Sequence, residues 1–377
     1  MGGIRERGSV SVIVRMILHL RDQSGREYHL GVREGRYVNA DAATGETHDL
    51  RRFVALPGLA DCHVHLSGDG VSDMIDYDGS AMPEKMLRNA RRQLEGGVLL
   101  LAEKGSKSSL SLSFLEVDEE QRPQVQMAGH MLAVRGGYYP GFAREIDDDN
   151  LETVIGEAVE GGATWVKIIG DWPRKGQGAV PNFGEAALRQ IVDISHRAGC
   201  RVAIHTAAPG TPAVAVRVGV DSIENGLFLN RDDIAALGKR GGAWVPTVAA
   251  MESIADFLGS SSTGGRVIAA GLDNTASLLG FALDAGVSVL AGTDLAVAHG
   301  EVAKEAIRLI DYGLSPAQAV HAVSRAAYDY LGIESGFEVG RPADAVFFRV
   351  DPADDPSTLL EPQLVIRAGR TVRGTDS

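Results

Sequence analysis

The feature that most constrains the fold is an alternation of short apolar segments with longer helical segments between residues 57 and 334. Helical stretches such as NLETVIGEAVEGG and FGEAALRQIVDISHRAG separate most of the apolar segments, which indicates parallel βα units. Eight apolar segments are the number of strands in a (β/α)8, or TIM, barrel. We therefore predict an α/β fold with such a barrel over 57–334. The segments are FVALPGLADCHVHL, GGVLLLAEKG, PQVQMAGH, TWVKIIG, CRVAIHT, VDSIENG, GAWVPTV and VSVLAGTD.

The two ends of the chain have a different pattern from the segment between them. Residues 1–56 and 335–377 contain β-branched runs broken by glycine, aspartate and asparagine, such as VSVIVRMILHL, REYHLGVREGRYVNA and ADAVFFRV. Each end is too short to bury a sufficient core alone. The sequence therefore predicts one small β-sandwich-like domain that is built from both ends and flanks the barrel.

The charge and the cysteine content limit the partners that the chain can have. The 50 acidic residues exceed the 37 lysines and arginines, and the net charge of −13 argues against a nucleic acid or an anionic membrane as partner. The longest apolar runs have the length of strands, so we expect no membrane-spanning helix. Two cysteines and an N-terminus without the apolar region of a signal peptide indicate a cytoplasmic protein. We expect a small-molecule substrate and leave a homo-oligomer open.

The strongest local signal is the segment DCHVHL at the end of the first predicted barrel strand. His63 and His65 are two residues apart, so a strand points both imidazoles to the same face. Two imidazoles on one face form half of a zinc-type site. The alternative explanation is a pair of hydrogen-bonded histidines at a strand end.

Other predicted strands also end in residues that can carry chemistry. Lys167 interrupts the apolar segment WVKIIG, and a buried lysine is costly unless it is paired or neutral. His205 ends CRVAIHT, and Asp294 ends VSVLAGTD. Each has an ordinary alternative: a lysine that reaches solvent, a core histidine and a helix-capping aspartate. Together they lie at the carboxyl ends of several barrel strands, where the catalytic groups of this fold meet.

Several longer segments together resemble a known enzyme family. ALPGLADCHVHL has the pattern PGxxDxHxH, and VAIHTAAPGTPAVAVRVGVDSIENG, WVPTV and LAGTDLAVAHGEVAKEAIRLIDYGLSPAQAVHAVSRAAYDYLGI follow later in the barrel segment. GFEVGRPADAVFFRVDP lies where the chain returns to the terminal β domain. These segments resemble the amidohydrolase superfamily, and within it the imidazolonepropionase-like and Xaa-Pro or Xaa-Arg dipeptidase-like branch. The resemblance covers nearly the whole chain.

The resemblance implies a metal-dependent amidohydrolase that cleaves an amide-like C–N bond in an N-acyl amino acid, a dipeptide or a cyclic amide. A metal-activated hydroxide would attack the carbonyl, and Asp294 would carry the proton to the leaving nitrogen. Lys167 would react with CO2 and bridge two ions as a carbamate. Zinc suits these ligands, although other divalent metals also accept them. The implied metal ligands are His63, His65, Lys167, His205 and Asp294.

One position departs from the pattern of this branch. Strand 6 usually ends in Ile-Glu-His-Gly, whose histidine is the last metal ligand, whereas this chain has SIENG with Asn225 in that place. An amide oxygen is a poorer zinc ligand than imidazole, so the second ion would be weak, absent, or completed by Glu224 or water. The alternative is a one-metal site held by the DCHVHL histidines, His205 and Asp294, as in deaminase-like members. However, those members usually carry a glutamate soon after the strand-5 histidine, where this chain has HTAAPG.

The departure keeps other functions open beside amide hydrolysis. A one-metal site would suit deamination or ring opening of a cyclic amidine, and a lyase-type or cyclase-type reaction on the same metal is a further alternative. A barrel without catalytic activity is the last. Lys167 in its expected strand favours the carboxylated, hydrolytic type.

Loops that follow the barrel strands supply candidate substrate contacts. AVRGGYYPGF follows the third strand, and its arginine is suited to a carboxylate while its tyrosines are suited to donate to a carbonyl oxygen. A purely structural role is the alternative for each loop residue. His299, shortly after Asp294, is a candidate neighbour of the metal ligands. The candidate substrate contacts are His130, Arg135, Tyr138, Tyr139 and Trp172.

Overall fold

The computed structural model describes residues 16–70, Asp73, 82–174 and 177–374, so parts of the predicted β domain at 1–15 and 375–377 lie outside the described residues. No helix in these ranges is both long and apolar enough to cross a membrane. The strands are β1 (Met16–Arg21), β2 (Glu27–Arg33), β3 (Arg36–Asn39), β4 (Glu46–Asp49), β5 (Val54–Leu56), β6 (Leu59–Val64), β7 (Val98–Glu103), β8 (Gln124–Met127), β9 (Met131–Ala133), β10 (Arg144–Glu145), β11 (Trp165–Ile169), β12 (Asp171–Arg174), β13 (Gly178–Pro181), β14 (Arg201–Thr206), β15 (Ser222–Asn225), β16 (Ala243–Val245), β17 (Ser288–Val289), β18 (Ala345–Phe348), β19 (Leu364–Arg367) and β20 (Arg370–Arg373). The α-helices are α1 (Met82–Glu95), α2 (Leu151–Glu160), α3 (Glu185–Arg197), α4 (Thr211–Val218), α5 (Arg231–Lys239), α6 (Val248–Leu258), α7 (Thr263–Asp284), α8 (Ala303–Asp311), α9 (Pro316–Ala322) and α10 (Arg325–Leu331).

The strands of the central segment form two sheets of parallel strands. One sheet has the order β6-β7-β8, and the other has the order β10-β9-β11-β14-β15-β16-β17. Every pair of neighbours within them runs parallel. Backbone hydrogen bonds connect the two sheets on both sides, from the Thr164 N–H to the Met127 carbonyl and from the Cys62 N–H to the Ala291 carbonyl. Each of the eight apolar segments named above contains one of these strands.

Apolar side chains determine how these strands and helices pack. All five residues of β11 are buried, as is typical of a parallel strand covered on both faces. Helix α3 turns Leu188, Ile191 and Val192 toward the sheet, because residues three and four apart share one face. All three belong to the large core between helices and strands, where each buried aliphatic side chain contributes about 1.5–3 kcal/mol.

Strands from both ends of the chain pack together beside this core. Strands β1 to β4 form a sheet of order β3-β2-β1-β4, and β5 joins the C-terminal strands in a sheet of order β20-β19-β18-β5. Leu18, Tyr37 and Phe347 are buried in the same cluster, although the first two come from one end of the chain and the third from the other. Strand β5 ends three residues before β6 begins, so this region adjoins the strand that carries DCHVHL.

A buried ion pair fastens β19 to the segments around it. Nη1 of Arg367 donates to both carboxylate oxygens of Asp344, at 3.0 and 2.9 Å. Its Nε and Nη2 donate to the carbonyl oxygens of Arg122 and Glu119, at 2.9 and 2.8 Å. Asp344 also accepts the Ala368 N–H at 2.7 Å. The charged groups of this pair are thus hydrogen-bonded in several directions, as buried charges require.

Candidate active site

Three predicted ligands converge at the ends of the parallel strands and form what we call the candidate metal centre: His63, His65 and Asp294. One ligand atom from each lies within 4.8 Å of the others. Oδ1 of Asp294 is 3.3 Å from Nε2 of His63 and 3.4 Å from Nε2 of His65. Both histidines are buried, whereas the Asp294 side chain is 19% exposed, so the centre opens toward solvent at the aspartate. The two imidazoles of DCHVHL thus approach the same carboxylate, and their role as metal ligands stays a prediction.

The protonation states in the centre suit a metal ion. Burial lowers the pKa of His63 to about 4, so this imidazole is neutral at pH 7 and has a lone pair to offer. Burial alone would raise the pKa of Asp294, but the nearby His63, His65 and Lys167 outweigh it and hold that pKa well below its ordinary value. His65 has Nδ1 2.6 Å from the Gly105 carbonyl oxygen, which fits Nδ1–H as the donor and leaves Nε2 free. Two imidazole nitrogens and a carboxylate are a donor set that zinc accepts.

Lys167 and His205 stand beside the centre on adjacent strands. Nζ of Lys167 is 3.3 Å from Nε2 of His63, and burial lowers the pKa of this lysine to about 8. Strands β11 and β14 pair so that Ile169 is opposite His205. Burial lowers the pKa of His205, while Asp171 opposes that shift. Lys167 therefore contacts His63, whereas His205 lies on the adjacent strand outside the tight group of His63, His65 and Asp294, and its role as a ligand stays a prediction.

Asn225 occupies the position where the family pattern has a histidine, and its side-chain amide makes hydrogen bonds there. Its Nδ2 donates to Thr247 Oγ1 at 2.7 Å and to Asp294 Oδ2 at 3.1 Å. Its Oδ1 is buried and has no hydrogen-bond partner among the residues that the structure describes. The amide therefore holds the outer oxygen of Asp294, while the inner oxygen faces the two histidines.

The backbone around these residues is strained at three neighbouring strand ends. Asn225, Thr247 and Asp294 have φ angles of 62°, 48° and 44°, in the left-handed region that non-glycine residues rarely adopt. Asn225 ends β15, Thr247 follows β16 and Asp294 follows β17. The side chain of Asn225 donates hydrogen bonds to both Thr247 and Asp294. Strain of this kind costs of order 1–3 kcal/mol per residue and is concentrated at functional sites.

The family of the chain follows from comparison with known proteins. The model of the amidohydrolase family matches residues 54–372, which include the candidate metal centre. The chain belongs to the amidohydrolase family. It is therefore an enzyme of the class that hydrolyses C–N bonds, as the resemblance of the sequence implied.

Several individual proteins are similar over most of this chain. An uncharacterized protein of Mycobacterium tuberculosis is 32% identical over 327 residues, which are 84% of this chain and 84% of that protein. The ochratoxinase of Aspergillus niger is 22% identical over 88% of this chain and 78% of its own length. A solved Xaa-Pro dipeptidase with bound methionine has a TM-score of 0.80 at 21% identity, covering 95% of this chain and 99% of that one. The fold is a mixed α/β fold of the TIM-barrel type found in this family.

Around this amidohydrolase centre lie buried charges that the sequence did not single out. Lys104 follows β7 and places Nζ 3.2 Å from Glu224 Oε1. Asp61 accepts the N–H and the hydroxyl of Thr293, and burial raises its pKa to about 7. Asp171 accepts two backbone N–H bonds from the residues just after β14. The signal for Lys104 was available, because it ends an apolar segment just as Lys167 interrupts one.

Glu224, which the sequence did single out, connects several of these groups. Its Oε2 lies 2.8 Å from His63 Nδ1, an ion-pair distance, although the two groups lack the alignment of a hydrogen bond. Ser222 Oγ donates to Oε1 at 2.6 Å, beside Lys104. Burial alone would raise the pKa of Glu224, but Lys104 and His63 outweigh it and lower that pKa. Glu224 was predicted as a neighbour or replacement ligand, and its contacts place it directly behind His63.

The predicted loop residues divide into an aromatic wall near the centre and residues with other contacts. The aromatic wall consists of Tyr138, Tyr139 and Trp172. The Trp172 ring is 4.5 Å from Tyr138, 4.7 Å from Tyr139 and 6.4 Å from His205, centroid to centroid. Burial and the charge of Asp294 raise the pKa of Tyr138, which places this phenol in the field of the metal centre.

The remaining loop candidates have partners of their own. Arg135 is 90% exposed, with Nε 3.7 Å from Glu145 Oε2. His130 accepts the Ser109 N–H on Nε2 at 3.2 Å and has a buried Nδ1 without a partner. His299 has Nε2 2.8 Å from the Gly68 carbonyl oxygen and Nδ1 3.2 Å from a side-chain nitrogen of Gln93. Roles for these three in substrate binding or ligand support stay predictions.

Proposed function

We propose that this amidohydrolase is a metal-dependent hydrolase of an amide-like C–N bond in a small molecule such as an N-acyl amino acid, a dipeptide or a cyclic amide. The observation that carries the proposal is the grouping of two imidazoles and one carboxylate whose ligand atoms lie within 4.8 Å of one another, at the strand ends where this fold keeps its catalytic groups. Zinc is the metal proposed, because it favours imidazole and carboxylate ligands.

The residues of the centre have separate tasks in this proposal. His63, His65 and Asp294 would hold the ion, which when bound lowers the pKa of water and polarises a carbonyl. Asp294 accepts the proton of the attacking water and returns it to the leaving nitrogen, as a general base and then a general acid. The Asn225 amide, which donates to its Oδ2, keeps the carboxylate turned toward the histidines during this transfer.

The number of ions is the next part of the proposal. The side-chain nitrogen of Asn225 donates to Thr247 and Asp294, so only its amide oxygen is left for a metal ion. Because an amide oxygen is a poor zinc ligand, this arrangement supports a single tightly held ion. In a two-ion form, Lys167 would carry a CO2-derived carbamate and His205 would hold the second ion. Metal-to-protein ratio by elemental analysis, together with a carbamate signal in 13C NMR after addition of labelled bicarbonate, separates the two forms.

Asn225 also supports a second candidate function. A single ion is what hydrolysis of a cyclic amidine, by deamination or ring opening, would require. This second function predicts one ion, an unmodified Lys167 and activity on cyclic amidines but not on N-acyl amino acids.

The aromatic wall suggests which part of the substrate lies where. Tyr138 and Trp172 stand beside Asp294 and His205, so a flat or apolar group next to the scissile bond would pack on them. We propose that they contact the substrate, with Tyr139 at the exposed rim.

The architecture that supports this site is a further proposal. We infer that the two parallel sheets close into one (β/α)8 barrel over 57–334, because backbone hydrogen bonds join them on both sides. The shared core of the terminal strands supports one composite domain from 1–56 and 335–377. A cytoplasmic location and a homo-oligomer stay predictions.

One experiment tests the function directly. Purified protein is assayed for metal content and screened against N-acyl amino acids, dipeptides, cyclic amides and cyclic amidines, beside His63→Ala. The matched control is His321→Ala, which removes an exposed histidine of α9. We expect bound metal and activity in the parent and the control, and loss of both in His63→Ala. Metal-free protein together with unchanged activity in His63→Ala would refute the proposal.

A further inference from the structure

We propose that Lys104 is a positioning residue for the metal ligand His63 and acts through the carboxylate of Glu224. This inference rests on the proposed metal centre and adds to it a buried support that extends across three strands. Lys104 follows β7, Glu224 lies on β15 and His63 lies on β6. The three side chains are almost completely buried.

The position of Lys104 is determined by its contacts. Its backbone N–H donates to the Val64 carbonyl oxygen at 2.9 Å, which fixes the main chain beside the DCHVHL strand. Its Nζ lies 3.6 Å from the centre of the Trp165 ring and 3.2 Å from Glu224 Oε1. A buried ammonium needs an anion, and an aromatic face adds a cation–π attraction. The cation is therefore held against Glu224 from one side.

Glu224 in turn has its two oxygens assigned to different partners. Oε1 accepts from Ser222 Oγ and faces Lys104, so this end is anchored. Oε2 is left to approach His63 Nδ1 at 2.8 Å. Rotation of the carboxylate would break the contact with the cation, so the contact with the imidazole depends on Lys104.

The consequence reaches the metal ligand through the imidazole ring. A carboxylate behind Nδ1 favours the tautomer that carries its hydrogen on that atom, which leaves the Nε2 lone pair for the ion. Nε2 is the atom that lies 3.3 Å from Asp294 Oδ1. The contacts therefore run from Lys104 to the Glu224 carboxylate, and from that carboxylate through the His63 ring to the ligand atom Nε2.

The test measures zinc affinity, which does not depend on knowing the substrate. Zinc dissociation constants are determined by chelator competition for the parent, Lys104→Met, Glu224→Gln and the double variant Lys104→Met/Glu224→Gln. Loss of such a support typically weakens metal binding about 10–100-fold, and we expect this for each variant. All three variants break the same chain of contacts. The double variant should therefore bind zinc no more weakly than the single variant with the lower zinc affinity. The absorption spectrum of the cobalt-substituted protein should shift in the same variants.

Two controls separate a positioning role from a structural one. Arg367→Met breaks another buried ion pair and should lower thermal stability while keeping parental zinc affinity in the folded protein. The double variant leaves no unpaired charge at either position, so it provides the measurement if a single variant does not fold. Lys104→Met or the double variant, folded and with parental zinc affinity and cobalt spectrum, would overturn the inference. If His63→Ala also bound zinc as the parent does, the proposed metal centre itself would be wrong.

Discussion

The protein buries charge in two regions, and the two are built differently. At the terminal sheets, the Arg367–Asp344 pair has hydrogen bonds to carbonyl and N–H groups on several sides. At the strand ends, Asn225 Oδ1 and Glu103 Oε1 are buried without a partner, and Glu224 Oε2 meets His63 without full alignment. The charged groups of the first region are hydrogen-bonded, whereas the second region contains buried polar atoms without a hydrogen-bond partner among the described residues.

The difference indicates what each region is for. A fully bonded ion pair holds segments together and has nothing left to offer a ligand. Unsatisfied buried atoms and left-handed backbone at Asn225, Thr247 and Asp294 cost stability, and such costs persist where a site needs the geometry. Variants in the two regions should therefore affect different observables.

The largest effect is expected for Asp294→Asn. The amide keeps the shape but cannot accept the proton, so kcat should fall about 10²–10⁴-fold. The thermal midpoint should fall as well, because the ion loses a ligand and His63, His65 and Lys167 lose the negative charge that holds the pKa of Asp294 low. Steady-state kinetics on the best substrate of the screen, with differential scanning calorimetry, measures both. If Asp294→Asn lost stability but kept its turnover, the proposed difference between the two regions would be contradicted.

Arg367→Met should lower stability without lowering turnover. It leaves the Asp344 carboxylate buried without its cation, which typically costs about 3–5 kcal/mol of unfolding free energy. Activity per folded molecule should be unchanged. Urea unfolding with parallel assays checks this, and Arg367→Met/Asp344→Leu should recover part of the loss. Equal loss of turnover and stability would mean that the pair also supports the site.

Metal removal should act on the strand ends alone. An ion present at about 100 times its dissociation constant stabilises the folded state by about 2.7 kcal/mol. Dialysis against a chelator should therefore abolish activity and lower the thermal midpoint, and zinc should restore both. The same treatment of His63→Ala provides the control, because its midpoint should no longer respond.

The last prediction concerns Glu305 on α8, a buried carboxyl that accepts the N–H groups of Val248 and Ala249 at the start of α6. Burial raises its pKa to about 8 from an ordinary 4.5. Between these values the folded protein keeps a proton that the unfolded chain has released, so stability falls as pH rises, by at most about 1.4 kcal/mol per pH unit. Glu305→Gln should flatten that slope in urea unfolding between pH 5 and pH 8. If the unfolding free energy of Glu305→Gln kept the same slope against pH, other titrating groups would be responsible for that slope.

Much of the fold could be predicted from the sequence because its signals are local. Eight of the parallel strands lie in short apolar segments, and the alternation with helices is read directly along the chain, whereas β10 is the polar pair Arg144–Glu145. The pair His63 and His65 is equally local, since a strand alternates its faces with a period of two residues. Lys167 and Asp294 were found because each is a charged residue within or directly after an apolar strand.

The rest of the site depends on contacts between residues distant in the chain. Lys104 meets Glu224 across 120 positions of sequence, and nothing near either residue specifies the other. The role of Asn225 was visible only as a departure from a pattern, whereas its bonds to Thr247 and Asp294 require three strands to be placed. Arg135 also has a partner that its loop sequence did not indicate, Glu145 at 3.7 Å, and its role as a carboxylate clamp stays a prediction.

The left-handed strand ends have a consequence for how such a protein changes under selection. Glycine adopts this backbone without a penalty, so Asn225→Gly, Thr247→Gly and Asp294→Gly would each relieve local strain. Each would also delete a side chain that the proposed chemistry needs. A library of variants sorted for heat resistance alone should therefore admit glycine at these positions wherever the relieved strain exceeds the lost side-chain contacts, and such variants would have lost their catalyst. Retained side chains there would mark the lineages in which turnover was selected.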